Sequence, residues 1–320
     1  MTIKRKIIFL IGLIIFTHLV LYKYFVYVSN KKNELSIQLN NYKKNKKNIK
    51  IVFFGDSHVA RSIDVNQIDN SYSLAYFGEN NMMNYYKLKY CINNQLMKPL
   101  YAVFPCDIVT YSKGYNNYRT NKYFYYSLIP INEIQHINEN KLNTIYDYLK
   151  IKIVPYTEWR YAFNKMNTNR LKKSNEEFSK KSVEEQEKDA TQFIYNKLLE
   201  GGNKKKLFDE RALNYLQKTI LLCQENKIKL IFVKFPLTKN IFDVIKFKVD
   251  SSFIRCRPAE KIINQYSIPI LNFEYLYQNN PELFFDSHHL NIIGKNKFTS
   301  ILKQKLDSLY KVYKNRSAIH

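Results

Sequence analysis

Cysteine and glycine are both scarce in this sequence, and each scarcity excludes a class of function. The four cysteines, Cys91, Cys106, Cys223 and Cys256, form no C-x-x-C pair, so a zinc ribbon or a thioredoxin-like redox site has no support, and four in a chain this long are too sparse for a disulfide scaffold. Of the seven glycines only Gly55 precedes an aspartate, and none precedes Asn-His or His. A dinuclear metallophosphoesterase needs several such turns. Asp56-Ser57-His58 together with Asp286, His288 and His289 is therefore a poor match to that class. Acidic residues are also in deficit, 27 against 51 Lys and Arg, for a formal net charge of +24. The lysines are scattered and no zinc-finger or RNA-recognition signature accompanies them, so the charge reads as a solvated lysine-rich surface, suited to anionic lipid or an acidic polymer and not to nucleic acid. No internal repeat is present.

What is abundant is apolar and aromatic: 45% hydrophobic residues, with 27 Tyr and 21 Phe. The longest apolar run, Ile7 to Val28, is interrupted in its first part only by Thr17 and His18. As a helix it would be roughly 33 Å long, enough for a bilayer core. Tyr22, Tyr24 and Tyr27 suit the interface and Lys23 can snorkel. No small-x-small cleavage site follows, so the run reads as an uncleaved signal-anchor. Lys4, Arg5 and Lys6 precede it, but Lys31, Lys32, Lys43, Lys44, Lys46 and Lys47 follow, and the positive-inside rule leaves the orientation open. The organisation expected is a tip and anchor over 1–28, a polar stalk over 29–48, and an α/β domain over 49–320.

Within 49–320, short apolar runs end at turn residues: 49–54 before Gly55, 71–77 before Gly78, 100–105, 229–235 before Pro236, and 268–273. Helical stretches fall between them, at 80–97, 207–226 and 259–266, with a last helix from about Ile292 to Tyr310 that Asn291 can cap. Alternation of this kind predicts an α/β fold, a parallel sheet flanked by helices on both faces in three layers, flavodoxin-like. The Tyr-, Asn- and Lys-rich stretch 111–205, broken at Gly201-Gly202, reads as a helical insertion or cap. In such sheets chemistry gathers at the carboxyl ends of the strands.

Three turns lie there. Ser57 follows a strand and a glycine at the start of a helix, where backbone N–H groups can face an oxyanion. A serine needs a base. His289, with Asp286 three residues before it, can supply base and orienting carboxylate from one loop. Gly78 can bring a second backbone N–H to the oxyanion hole beside that of Ser57. Asp56 reads as organising the turn, and His58 as an exposed helix-start residue or a substrate contact. His288 is the fallback for His289. No metal or other cofactor is implied.

Val52-Phe53-Phe54-Gly55-Asp56-Ser57-His58 resembles the first block of the SGNH/GDSL hydrolase superfamily, and Phe284-Phe285-Asp286-Ser287-His288-His289-Leu290-Asn291 with Gly294 resembles its last block, D-x-x-H followed by Leu-Asn and a glycine. The likeness is to its divergent membrane-anchored members, which act on cell-surface polymers and O-acyl groups. It implies Ser57 as nucleophile, Asp286 and His289 as its triad partners, and Gly78 as the second-block oxyanion donor. The implied activity is that of a serine esterase or O-acyltransferase working through an acyl-serine on an ester-bearing glycan or lipid, with the catalytic domain extracytoplasmic and a membrane acyltransferase as an eligible partner. The superfamily's third block, G-x-N-D, is missing; Phe104-Pro105-Cys106-Asp107 stands near strand three. That absence keeps a second reading open, a non-catalytic partner of a polysaccharide or envelope assembly system.

Overall fold

The computed structural model describes residues 2–94, 100–107, 109–112, 122–136, 141–158, 177–199, 208–248 and 257–317. The chain divides into two compact units, Met1–Lys44 with Tyr118–Thr168, and Asn45–Asn117 with Asn169–His320. The stretch 111–205 is thus shared between them. The break expected at Gly201-Gly202, and Cys256, lie outside the described residues.

The second unit is built on five parallel strands, β1 (Ile51–Phe53), β2 (Ser71–Ser73), β3 (Tyr101–Pro105), β4 (Lys229–Lys234) and β5 (Ile270–Asn272), in the order β2-β1-β3-β4-β5. The central strands β1 and β3 are buried throughout, as continuous apolar runs must be when helices cover both faces. On one face Phe53, Val103, Ile231 and Val233 pack with Phe298, Leu302 and Leu306 of the last helix. Phe54 and Phe104 are buried too, their rings stacked 4.9 Å apart. Single hydrogen bonds carry the ladder past the strand ends, from Phe54 N–H to the Val103 carbonyl (2.9 Å) and from Cys106 N–H to that of Val233 (2.8 Å).

The helices of this unit are α3 (Ser57–Ser62), α4 (Asn81–Asn93), α7 (Val183–Ile194), α8 (Glu210–Glu225), α9 (Lys239–Lys248), α10 (Pro258–Gln265) and α11 (Ile292–Ser317). Asn80 caps α4 by accepting from Met83 N–H at 3.0 Å. Ser182 and Glu185 close a reciprocal capping box on α7. Helix α9 has no counterpart in the sequence reading: Pro236 ends β4, and the ten residues after Thr238 carry two phenylalanines and three lysines around a short stripe of Ile241, Val244 and Ile245, which are buried. The strand expected at 71–77 is hydrogen-bonded as β2 only to Ser73, after which Leu74 and Tyr76 N–H groups still reach the carbonyls of Phe53 (2.8 Å) and Gly55 (3.0 Å). Cys91, Cys106 and Cys223 are buried free thiols.

The first unit holds α1 (Ile3–Lys32), α2 (Glu34–Asn45), α5 (Lys122–Leu128) and α6 (Lys141–Ile153), with a 3-10 turn at Pro155–Glu158. Helix α1 is long and apolar enough to cross a membrane, and its most apolar stretch is exposed. The segment read as a polar stalk contains α2, whose Leu35, Leu39 and Tyr42 are buried.

Candidate active site

The first half of the site is a tight exit from β1. Gly55 has φ +142°, and a Cβ there would strike the Val59 side chain and approach Pro105 Cδ to 2.9 Å, so the turn admits only glycine. Asp56 follows as N-cap of α3, its carboxylate accepting from His58 N–H at 3.0 Å and its carbonyl from Ala60 N–H. Ser57, the first residue of α3, is half-buried at the carboxyl edge of the sheet.

The second half is the loop after β5. Asp286 Oδ1 accepts from the backbone N–H groups of His288 (3.0 Å) and His289 (2.8 Å), and Phe285 N–H closes the loop on the His289 carbonyl at 2.8 Å. Asn291 braces the exit. Its Oδ1 accepts from Ile293 and Gly294 N–H, both at 3.0 Å, and its Nδ2 donates to the Glu282 carbonyl at 2.7 Å. Gly294 is required because any Cβ would collide with the Leu283 carbonyl. The Leu-Asn and the glycine after the D-x-x-H thus have structural work: they fix the loop that carries the histidine.

These halves meet. Asp286 Oδ2 lies 2.8 Å from His289 Nδ1, and His289 Nε2 lies 2.8 Å from Ser57 Oγ. A carboxylate can only accept, so Nδ1 carries the hydrogen and Nε2 is left to accept from the serine hydroxyl. Burial disfavours the Asp286 charge, but the adjacent His288 and His289, with the hydrogen bonds they donate, outweigh it and hold the carboxyl well below its usual range. The group that orients the histidine is therefore ionised wherever the histidine can act as a base.

The chain is similar in fold to solved GDSL-like structures. A GDSL-like lipase from Bacteroides thetaiotaomicron is 14% identical with a TM-score of 0.40, covering 85% of this chain and 99% of that one. A candidate acylhydrolase from Bacteroides fragilis is 10% identical at a TM-score of 0.39, covering 83% and 93%. A candidate platelet activating factor from Streptococcus pneumonia is 11% identical at 0.38, covering 91% and 98%. No family model matches the chain, and no curated protein matches it.

His58 differs from the exposed helix-start residue that was one of its two expected roles: it is 2% exposed. Its Nδ1 lies 3.0 Å from Asp56 Oδ2, so Asp56 is both cap and ring partner. Burial works against the imidazolium, yet the Asp56 carboxylate and its hydrogen bond prevail and push the His58 pKa up to about 9. His58 Nε2 is buried with no hydrogen-bond partner among the described residues. His288 does not reach the serine; its ring stacks on Phe193, centroids 3.7 Å apart, and burial pushes its pKa well down. Ligand nitrogens of His58, His288 and His289 lie within 4.8 Å of one another, a grouping able to hold a metal ion. Both nitrogens of His289 are already engaged by Asp286 and Ser57, so an ion there would compete with the serine.

Gly78 sits in the exposed turn beyond β2 with φ +73°. The Arg61 guanidinium of α3 faces the rings of Phe77 (5.3 Å) and Phe285 (4.8 Å), so the Gly78 turn and the Asp286 loop flank the helix that Ser57 begins. Asp107 stands just after β3. It is buried, Oδ1 accepts from Phe235 N–H at 2.6 Å, and burial pushes its pKa up to about 7. Sequence reasoning missed Asp189, which accepts from Ser287 Oγ at 2.9 Å, Thr238, whose Oγ1 donates to the Ser287 carbonyl at 2.8 Å, and Phe193. All three hold the histidine loop from distant parts of the chain, and none stands in a local motif.

Proposed function

We propose that this chain is a membrane-anchored serine esterase or O-acyltransferase of the SGNH/GDSL type, with Ser57, His289 and Asp286 as its catalytic triad. The observation that carries the reading is the unbroken relay from Asp286 Oδ2 through His289 to Ser57 Oγ, at 2.8 Å on both sides. Three side chains 229 to 232 residues apart or in one distant loop have no structural need to meet in that order.

In this reading Ser57 Oγ attacks the carbonyl carbon of an ester while its proton passes to His289 Nε2, and Asp286 stabilises the imidazolium. The tetrahedral oxyanion faces the Ser57 and Gly78 N–H groups. Its collapse breaks the ester C–O bond, the departing alkoxide takes the proton from His289, and the acyl group stays on Ser57. Water, or a sugar hydroxyl, then loses its proton to His289 as it attacks the acyl-serine; the acyl–Oγ bond breaks, Ser57 Oγ takes the proton back from His289, and an acid or a new ester is released. Helix α1 anchors the chain, with the catalytic unit on the extracytoplasmic side. An ester-bearing surface glycan or lipid is the substrate class, and a membrane acyltransferase is a fitting donor partner.

The test is covalent labelling of the full chain with a fluorophosphonate probe. Labelling of wild type that is lost in Ser57→Ala supports the reading. A folded wild type that takes no label overturns it and favours the non-catalytic assembly partner.

A further inference from the structure

Helix α6 carries an apolar stripe that stands exposed among the described residues. Leu142, Tyr146, Leu149 and Ile153 are 80, 67, 40 and 57% exposed. At helical spacing they fall within about 60° of arc. The opposite side of the helix, Thr144, Tyr148 and Ile151, is buried. The stripe is therefore not a frayed core face, because α6 already has a core face and this is a second one. Lys152, about 90° from the centre of the stripe, turns toward its own unit, its Nζ donating to the Ser127 carbonyl at 3.3 Å.

The position of α6 within the first unit indicates what covers the stripe. The 3-10 turn that follows it packs on α1, where Tyr156 OH lies 2.9 Å from His18 Nδ1 and the two rings are 5.7 Å apart. Along α1 the exposed apolar side chains run from Ile3 to Leu21, and burial begins at Phe25. His18 is thus in the last turn of the exposed apolar band. Tyr22, Tyr24 and Tyr27 follow, residues that favour the level of lipid headgroups. The end of α6 is held at the depth where that band gives way to the interface.

We infer that α6 is an interfacial membrane helix: its Leu142/Tyr146/Leu149/Ile153 stripe lies in the headgroup–acyl boundary of the bilayer that α1 spans. An exposed apolar stripe opposite a packed face is the pattern of helices that lie in the plane of the interface, held there by the apolar area they bury. The inference rests on the reading of α1 as the anchor. It adds a second attachment, formed by a segment some 130 residues along the chain, which would fix the first unit against the membrane instead of leaving it to swing on one helix.

The experiment uses the full chain, one copy per nanodisc of phosphatidylcholine and phosphatidylglycerol, with an NBD fluorophore attached through an encoded azide at one position at a time: Tyr146 or Leu149 in the stripe, Phe9 in α1, and Lys303 in the sheet unit as the aqueous control. Lipids brominated high on the acyl chain quench a fluorophore at that depth. Quenching at 146 and 149 at least twofold greater than at 303 is the expected result. Quenching at 9 without quenching at 146 and 149 overturns the inference and leaves the anchor standing. Absence of quenching at 9 as well overturns both. Because each disc holds one copy and no protein besides its scaffold belt, a stripe that packs only on a protein partner gives the second outcome.

Discussion

His58 and His289 lie side by side with ring centroids 5.1 Å apart, and each is held at Nδ1 by its own aspartate, Asp56 at 3.0 Å and Asp286 at 2.8 Å. The two imidazoles share a wall of the site but not a role. His289 Nε2 faces Ser57, whereas His58 Nε2 meets no partner among the described residues. Two carboxylate–imidazole pairs beside one serine give the site an electrostatic character that a single triad would lack, and the predictions below separate their contributions.

Ser57→Ala and His289→Ala are each expected to lower kcat on a simple acetyl ester by about 10⁴-fold, since the members of a triad act as a unit. Their far-UV circular dichroism should match wild type, because neither side chain fills the core. Asp286→Asn should also lose activity, through the wrong histidine tautomer. Turnover retained in Ser57→Ala would remove the mechanism.

The Asp56–His58 pair should make stability fall on the alkaline side. The His58 pKa is raised to about 9 in the folded chain, above the ordinary value of about 6.5. Its contribution is therefore fully present below about pH 6.5 and is lost as pH rises through 9. Urea midpoints measured from pH 6 to pH 10 should decline in wild type and decline less in His58→Gln. Equal slopes would mean that the pair carries no linked proton.

Zinc should inhibit. His58, His288 and His289 present nitrogens within 4.8 Å of one another, and Zn²⁺ accepts imidazole at about 2.0–2.1 Å. An ion bound there takes His289 away from Ser57. Inhibition should be reversed by EDTA, strengthen with pH as His58 loses its proton, and weaken at least tenfold in His288→Gln, which leaves the serine relay in place. Inhibition of equal potency in that variant would place the zinc elsewhere.

Gly55→Ala should destabilise the chain by about 2 kcal/mol or more and abolish activity. The backbone at φ +142° disfavours any side chain, and the new methyl would meet Val59 and Pro105. Denaturant titration reads the first effect and ester turnover the second. An unchanged midpoint would show that the β1 exit can relax, and would remove the steric account of this glycine.

Much of the sheet was legible because its strands are buried on both faces. A run such as Lys229 to Phe235 has to be apolar throughout, and Gly55 or Pro236 must mark where it stops. Ser57, Asp286 and His289 were legible for a related reason: each sits in a turn whose backbone demands are written locally, in the Gly-Asp-Ser exit and in the D-x-x-H-Leu-Asn loop that Asn291 and Gly294 brace. What no local pattern contains is a meeting across the chain. The burial of His58, the stacking of Phe193 on His288, and the grip of Asp189 and Thr238 on Ser287 arise only when α7 and the end of β4 close over the loop after β5. The same holds for α6. Its sequence records an amphipathic helix, but only packing decides that Tyr148 and Ile151 face inward and Tyr146 and Leu149 outward, because a helix with apolar residues on two sides can bury either one.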